Sequence, residues 1–176
     1  MSEMTDYGIL NTQVDPRFSE RRFGRFGTIA KNGCGMIALY NVERAANPKT
    51  RFDEFYVQRK PIKTNLFGLL GTRPSTIPKN LRKKGYSVNK IRIRDAGAAK
   101  AYDAVIVLYW RFFGAHYVAG IKAPNGGYTF YNEFVQPCTM TLAAFVAYLK
   151  KRKLHPFRIW GIGFPQTEPH ESKKDA

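Results

Sequence analysis

Asn32-Gly33-Cys34-Gly35 stands immediately before an apolar run, Met36-Ile37-Ala38-Leu39-Tyr40. The run reads as the start of a helix, which places Cys34 at a helix N-terminus. A sulfur there meets unpaired backbone N–H groups and the positive end of the helix dipole, and both favour thiolate over thiol. The flanking glycines let the backbone pass close to whatever the sulfur attacks. A thiolate nucleophile needs a base within reach, and that base needs a third polar group to orient it. The second half of the chain offers His116, in Gly114-Ala115-His116-Tyr117-Val118, and Asn132, in Phe130-Tyr131-Asn132-Glu133. Other chemistries find little support. There is no Walker loop and no Gly-x-Gly-x-x-Gly opening a helix. Neither Cys34 nor Cys138 belongs to a Cys-x-x-Cys motif, and no zinc spacing joins them to His116, His155 or His170. No metal or cofactor is expected. Cys138 has no helix start and no flanking glycines, so it reads as an ordinary buried cysteine.

The elements that must carry these residues follow from pattern. A helix is expected from Cys34 to about Ala46, ending at Asn47-Pro48. Thr50 with Asp53 marks a short helix to about Gln58. Ser75 is a candidate cap for a helix to Lys84, with Gly85 as its stop. Alternation from Tyr86 to Arg94 predicts a half-buried strand with Ile91 and Ile93 on one face and Lys90, Arg92 and Arg94 on the other. Ala104 to Trp110 is apolar on both faces and should be a central strand, with Trp110 read first as core packing. His116 to Lys122 and Tyr128 to Phe134 form a pair around Pro124-Asn125-Gly126-Gly127. Thr141 to Lys151 is an amphipathic helix, and Pro156 to Phe164 a last strand. Helices first and antiparallel strands later predict an α+β fold in one domain. Residues 1–20 read as an acidic, irregular arm, residues 21–164 as the domain, and residues 165–176, with His170, as a flexible tail.

Beyond these local readings, the sequence resembles a family. Asn32-Gly33-Cys34-Gly35-Met36-Ile37-Ala38-Leu39 is similar to the nucleophile helix of papain-like cysteine peptidases. The likeness is to the bacterial branch of double-glycine leader peptidases and their stand-alone relatives. His116-Tyr117-Val118 is similar to that branch's His-aromatic-Val strand, and Asn132 follows at a comparable separation. Gly71-Thr72 and the segment Pro78 to Tyr86 resemble a connecting region. The resemblance spans about residues 26–135. It implies a papain-like α+β fold, with the nucleophile helix packed on an antiparallel sheet. It also implies Cys34 as nucleophile, His116 as general base and acid, and Asn132 as the group orienting His116. The family's oxyanion glutamine lies six residues before the cysteine, where this chain has Thr28. Thr28 and Asn32 are therefore the candidate oxyanion donors, with the Cys34 backbone N–H, because Gln13 lies too far upstream in sequence.

Register supplies an internal test of the triad. Asn132 shares a face with His116 if it lies directly opposite, or diagonally, as when Lys122 faces Tyr128. The diagonal arrangement follows from a type I turn over Ala123-Pro124-Asn125-Gly126, with Gly126 left-handed. A two-residue Asn125-Gly126 loop would instead put Asn132 on the opposite face. Pro124 disfavours that loop, since it would occupy a paired position with no N–H to give.

Length and charge bound the rest. The chain has 176 residues, 44% hydrophobic and 14% aromatic, with 29 Lys+Arg against 13 Asp+Glu for a net +16. That balance predicts an anionic partner. Residues 1–20 carry four acids and one Arg, whereas residues 61–100 carry ten Lys+Arg and only Asp95. Arg82, Lys83, Lys84, Lys90, Arg92 and Arg94 form the densest basic patch, a candidate surface for an acidic peptide or a phosphate backbone. With two cysteines, no signal peptide and no membrane-length apolar run, a cytoplasmic protein is expected. Three functions fit these features. They are a cysteine peptidase or related thiol hydrolase acting on a peptide substrate, a catalytically impaired peptide-binding relative (suggested by Thr28), and a basic nucleic-acid-binding domain.

Overall fold

The computed structural model describes residues 7–58, 62, 71–111 and 114–166. Its centre is a six-stranded, wholly antiparallel sheet. The strands are β3 (Ser87–Ile91), β4 (Ala104–Arg111), β5 (Gly114–Lys122), β6 (Tyr128–Tyr131), β7 (Cys138–Met140) and β8 (His155–Gly163), in the order β3-β8-β4-β5-β6-β7. A two-stranded hairpin, β1 (Arg22–Phe23) and β2 (Gly27–Thr28), stands apart from it. The helices are α1 (Ile29–Asn32), α2 (Cys34–Ala46), α3 (Phe52–Gln58), α4 (Thr76–Lys83) and α5 (Leu142–Lys151), with a 3-10 helix over Ile93–Ala101.

The sheet divides two apolar layers. Ile106, Leu108, Tyr117 and Ala119 face α2 and the N-terminal segment; Val105, Val107, Val118 and Phe130 face α5 and the 3-10 helix. Strand β4 is flanked on both sides, which is why its two faces are equally apolar. Helix α2 is buried from Cys34 through Glu43, so it runs through the interior instead of lying on the surface. Gly35 makes its seating possible, because a Cβ there would stand 2.6 Å from the Thr72 side chain. That close packing, rather than access to a substrate, is what the structure asks of this glycine.

Several expectations need adjustment. Strand β3 ends at Ile91, so Ile93 and Arg94 belong to the 3-10 helix. Ser75 precedes α4 but makes no side-chain cap, unlike Thr141, whose hydroxyl accepts from Ala144 N at 3.1 Å. Trp110 is 51% exposed and lies outside the core. Residues 7–20 hold no helix or strand, yet Leu10 and Phe18 are core residues. Asn41, buried in α2, pins that segment by donating to Leu10 O and accepting from Leu10 N. The tail beyond Gln166, with His170, lies outside the described residues.

The hairpin that sets the site's register takes the diagonal form. Gly120 faces Phe130 and Lys122 faces Tyr128. The turn closes with Gly126 N donating to Ala123 O at 3.0 Å, and Gly126 has φ +80°. The Pro124 argument therefore selected the observed turn.

Candidate active site

A cleft of about 710 Å³ opens where α2 begins and β5 starts, and Cys34, His116, Asn132 and Gln13 all line it. Cys34 is the first residue of α2 and is buried. His116 is the third residue of β5 and is 8% exposed. The His116 Nε2 lies 2.7 Å from the main-chain oxygen of Asn132. A carbonyl can only accept, so Nε2 carries the proton and Nδ1 of the neutral ring carries the lone pair.

Asn132 thus orients His116, but with its backbone. The ladder between β5 and β6 ends at Ala119 and Tyr131, and Asn132 turns out of the strand with φ +67°. Left-handed backbone is tolerated by Asn better than by most residues. That rotation presents the carbonyl to the imidazole. The side chain goes elsewhere: Nδ2 donates to Gln13 Oε1 at 3.3 Å.

Gln13 is the residue that sequence distance hid. Its Nε2 donates to Ala30 O at 2.6 Å, which fixes the amide between Ala30 and Asn132. A primary amide nitrogen has a second N–H, and among the described residues nothing accepts it. Thr28 and Asn32, the candidates named from sequence, do not line the cleft. Thr28 lies in β2 opposite Arg22, and its buried hydroxyl has no partner among the described residues. The β1–β2 hairpin explains the misreading. Its ends return to one place, with Ile29 N bonded to Arg21 O and Ala30 N bonded to Ser19 O, so many residues of chain separate Gln13 from Cys34 but little space does. Asn11 reinforces the arrangement by accepting from Asn132 N at 3.1 Å and donating to the carbonyls of Phe134 and Val135.

The electrostatics differ from the reading of Cys34 as a ready thiolate. Burial pushes its thiol up, against the opposing pull of the Tyr117 and Gly35 backbone amides and of Arg111. Burial also pushes His116 down to about 4, helped by the positive Arg111 and opposed by the Asn132 carbonyl and Glu133. Two groups that both lose hydration favour their neutral forms. Burial therefore works against charge on both Cys34 and His116.

The six basic residues lie away from this cleft. Lys90 sits on β3, and strands β8 and β4 separate β3 from β5. Arg82 donates to Val88 O at 2.7 Å, Lys84 pairs with Glu43 at 2.5 Å and Arg94 lies 3.8 Å from Asp95. Lys83, Lys90 and Arg92 are exposed. Cys138 is half-buried on β7, and His155 opens β8 on the surface. Among the described residues, no group of three His, Cys, Asp or Glu is placed to hold a metal ion, and no helix is long and apolar enough to cross a membrane.

A buried helix that starts on a cysteine, packed across an antiparallel sheet whose strand carries a histidine, is the α+β papain-like fold. A solved structure with this fold is the peptidase domain of Streptococcus ComA, a bi-functional ABC transporter involved in a quorum-sensing pathway. It matches with a TM-score of 0.53 at 17% sequence identity, covering 91% of this chain and 100% of that one. No protein-family model matches the chain, and no curated protein does.

Proposed function

We propose that this protein is a cysteine peptidase, or a related thiol hydrolase, cleaving a peptide or amide bond through an acyl-enzyme. The observation that carries the reading is the convergence of Cys34, His116 and Gln13 on one cleft, with the His116 ring fixed by the Asn132 carbonyl. In this reading Nδ1 of His116 takes the Cys34 proton as the sulfur attacks the scissile carbonyl. The negative charge that develops on oxygen is met by the free N–H of Gln13 and by the backbone N–H of Cys34, one of the unpaired donors of the first turn of α2. His116 then hands its proton to the leaving amine, and water, deprotonated by the same ring, releases the acyl group. Burial opposes charge on both groups, so in this reading Cys34 is activated by general-base transfer during attack. The ComA peptidase domain has the same fold, which favours a peptide substrate here.

The test is hydrolysis of a synthetic peptide pool followed by mass spectrometry. Products should form with the parent chain and vanish with Cys34→Ala, and a peptide aldehyde should add its mass at Cys34. Cleavage that survives Cys34→Ala would sink the proposal.

A further inference from the structure

Arg111 is the last residue of β4 and lines the cleft beside Cys34 and His116. Its guanidinium is held from behind. Nη2 donates to Glu133 Oε2 at 2.8 Å and to the Tyr109 hydroxyl at 3.0 Å. Glu133 is only 5% exposed, whereas the Arg111 side chain is 46% exposed. Tyr109 also donates to Glu133 Oε2, and Tyr148 to Oε1 at 3.5 Å. The carboxylate is thus consumed beneath the guanidinium, and the cation forms the surface that a ligand meets. Among the described residues, Nε and Nη1 donate to nothing. Cδ lies between them, so they do not chelate one carboxylate together, but each can meet it with one charge-assisted hydrogen bond. The same positive charge is felt by both Cys34 and His116, so a group bound there lies close to the reacting atoms.

We propose that Arg111 is a specificity-determining residue, a pre-oriented carboxylate site selecting peptides with an acidic group within a residue or two of the scissile bond. Its location beside the scissile bond rests on the peptidase reading. The carboxylate comes from a Glu or Asp side chain or from the α-carboxylate of a peptide cleaved near its end. A guanidinium held by a buried anion loses little freedom on binding, so little ordering cost offsets the hydrogen bond it makes. A single charge-assisted hydrogen bond supports roughly ten-fold discrimination against the neutral amide.

The experiment uses matched octapeptide pools with Glu or Gln at each position and either a free or an amidated C-terminus. Hydrolysis by the parent chain is read by mass spectrometry, and binding to the Cys34→Ala chain by fluorescence anisotropy. The expected result is a roughly ten-fold Glu-over-Gln or acid-over-amide ratio that falls towards one in Arg111→Gln. A side-chain source shows at one position in amidated peptides; an α-carboxylate source shows only with free ends, and either supports the site. Each ratio is taken within one protein, so a general loss of activity cancels. If Arg111→Gln does not fold, Arg111→Lys keeps the charge without the planar, pre-set guanidinium donors and should lower the ratio several-fold. Hydrolysis with the same ratio in parent and variant overturns the carboxylate site alone. Carboxylate-dependent binding without hydrolysis supports the site and overturns the peptidase reading alone. A chain that neither binds nor cleaves any pool overturns both.

Discussion

Lowering the pH should destabilise this fold through one side chain. His116 is 8% exposed and its folded pKa is pushed from 6.5 down to about 4 by burial and by Arg111. The sign follows from which state binds the proton first. Between pH 6.5 and 4 the unfolded chain is protonated at this position while the folded chain is not, so protonation favours unfolding. The contribution of His116 is intact above the unfolded value and is lost as pH falls through this window. A shift of this size corresponds to about 3 kcal/mol at pH 4. That is a substantial part of the stability of an ordinary domain.

Urea unfolding of the parent chain and His116→Gln, at pH 7.5 and at pH 4, isolates the effect. Glutamine cannot titrate but still offers an N–H to the Asn132 carbonyl. Every carboxylate and salt bridge common to both chains cancels in the difference. The stability gap between parent and variant should move by about 3 kcal/mol towards the variant between the two pH values. A gap that does not change with pH would refute the lowered His116 value, and a gap that moves towards the parent would mean an imidazole charged in the folded state.

Further expectations concern the rest of the cleft. Gln13→Ala should lower kcat by about a hundred- to a thousand-fold, the usual loss of one oxyanion donor, while Thr28→Gln should leave steady-state rates unchanged. Iodoacetamide should modify Cys34 more slowly than a free thiol at neutral pH, with a rate rising as pH increases above the ordinary thiol range; faster labelling below neutral pH would mean a pre-formed thiolate. Asn132→Gly keeps the left-handed backbone and the carbonyl on His116, so it should retain far more activity than Asn132→Val, whose branched side chain resists φ +67°. Equal losses in the two would instead make the Asn132 side chain the orienting group. Gly35→Ala should destabilise by about 1–3 kcal/mol in urea melts, from overpacking against Thr72.

The elements that local pattern specifies were legible. Helix α2, its end at Ala46, the two-sided β4 and the β5–β6 register follow from apolar spacing and from Pro124 and Gly126 at their turn positions. Strand β7 was missed, because three residues are too short to show a period. The strand expected to run on to Arg94 stops at Ile91, since the alternation at Arg92 and Ile93 is met equally by a 3-10 turn packing Ile93 on the core. At Cys34 a second influence opposes the one read from sequence. A helix N-terminus acts locally on the thiolate, but burial acts on it from every side and here is the larger effect.

The candidate site divides along the same line. Cys34 and His116 are identified by their own side chains and neighbours, so sequence shows them. Gln13 is positioned by a hairpin whose only effect on the site is to close on itself and return Ile29 and Ala30 beside Ser19 and Arg21. Sequence separation measures chain length, and a closed hairpin adds chain length without adding distance. Asn132 does meet His116, but through its main-chain oxygen and not the side chain expected from sequence. Once the strand turns left-handed, the carbonyl of residue 132 meets the imidazole whatever side chain it bears. What favours Asn is then its tolerance of that backbone together with the amide it extends to Gln13. The two halves of the proposed machinery, base and oxyanion donor, are therefore held by a single residue. The carbonyl fixes one and the side chain the other, so changes at this position should separate the two functions.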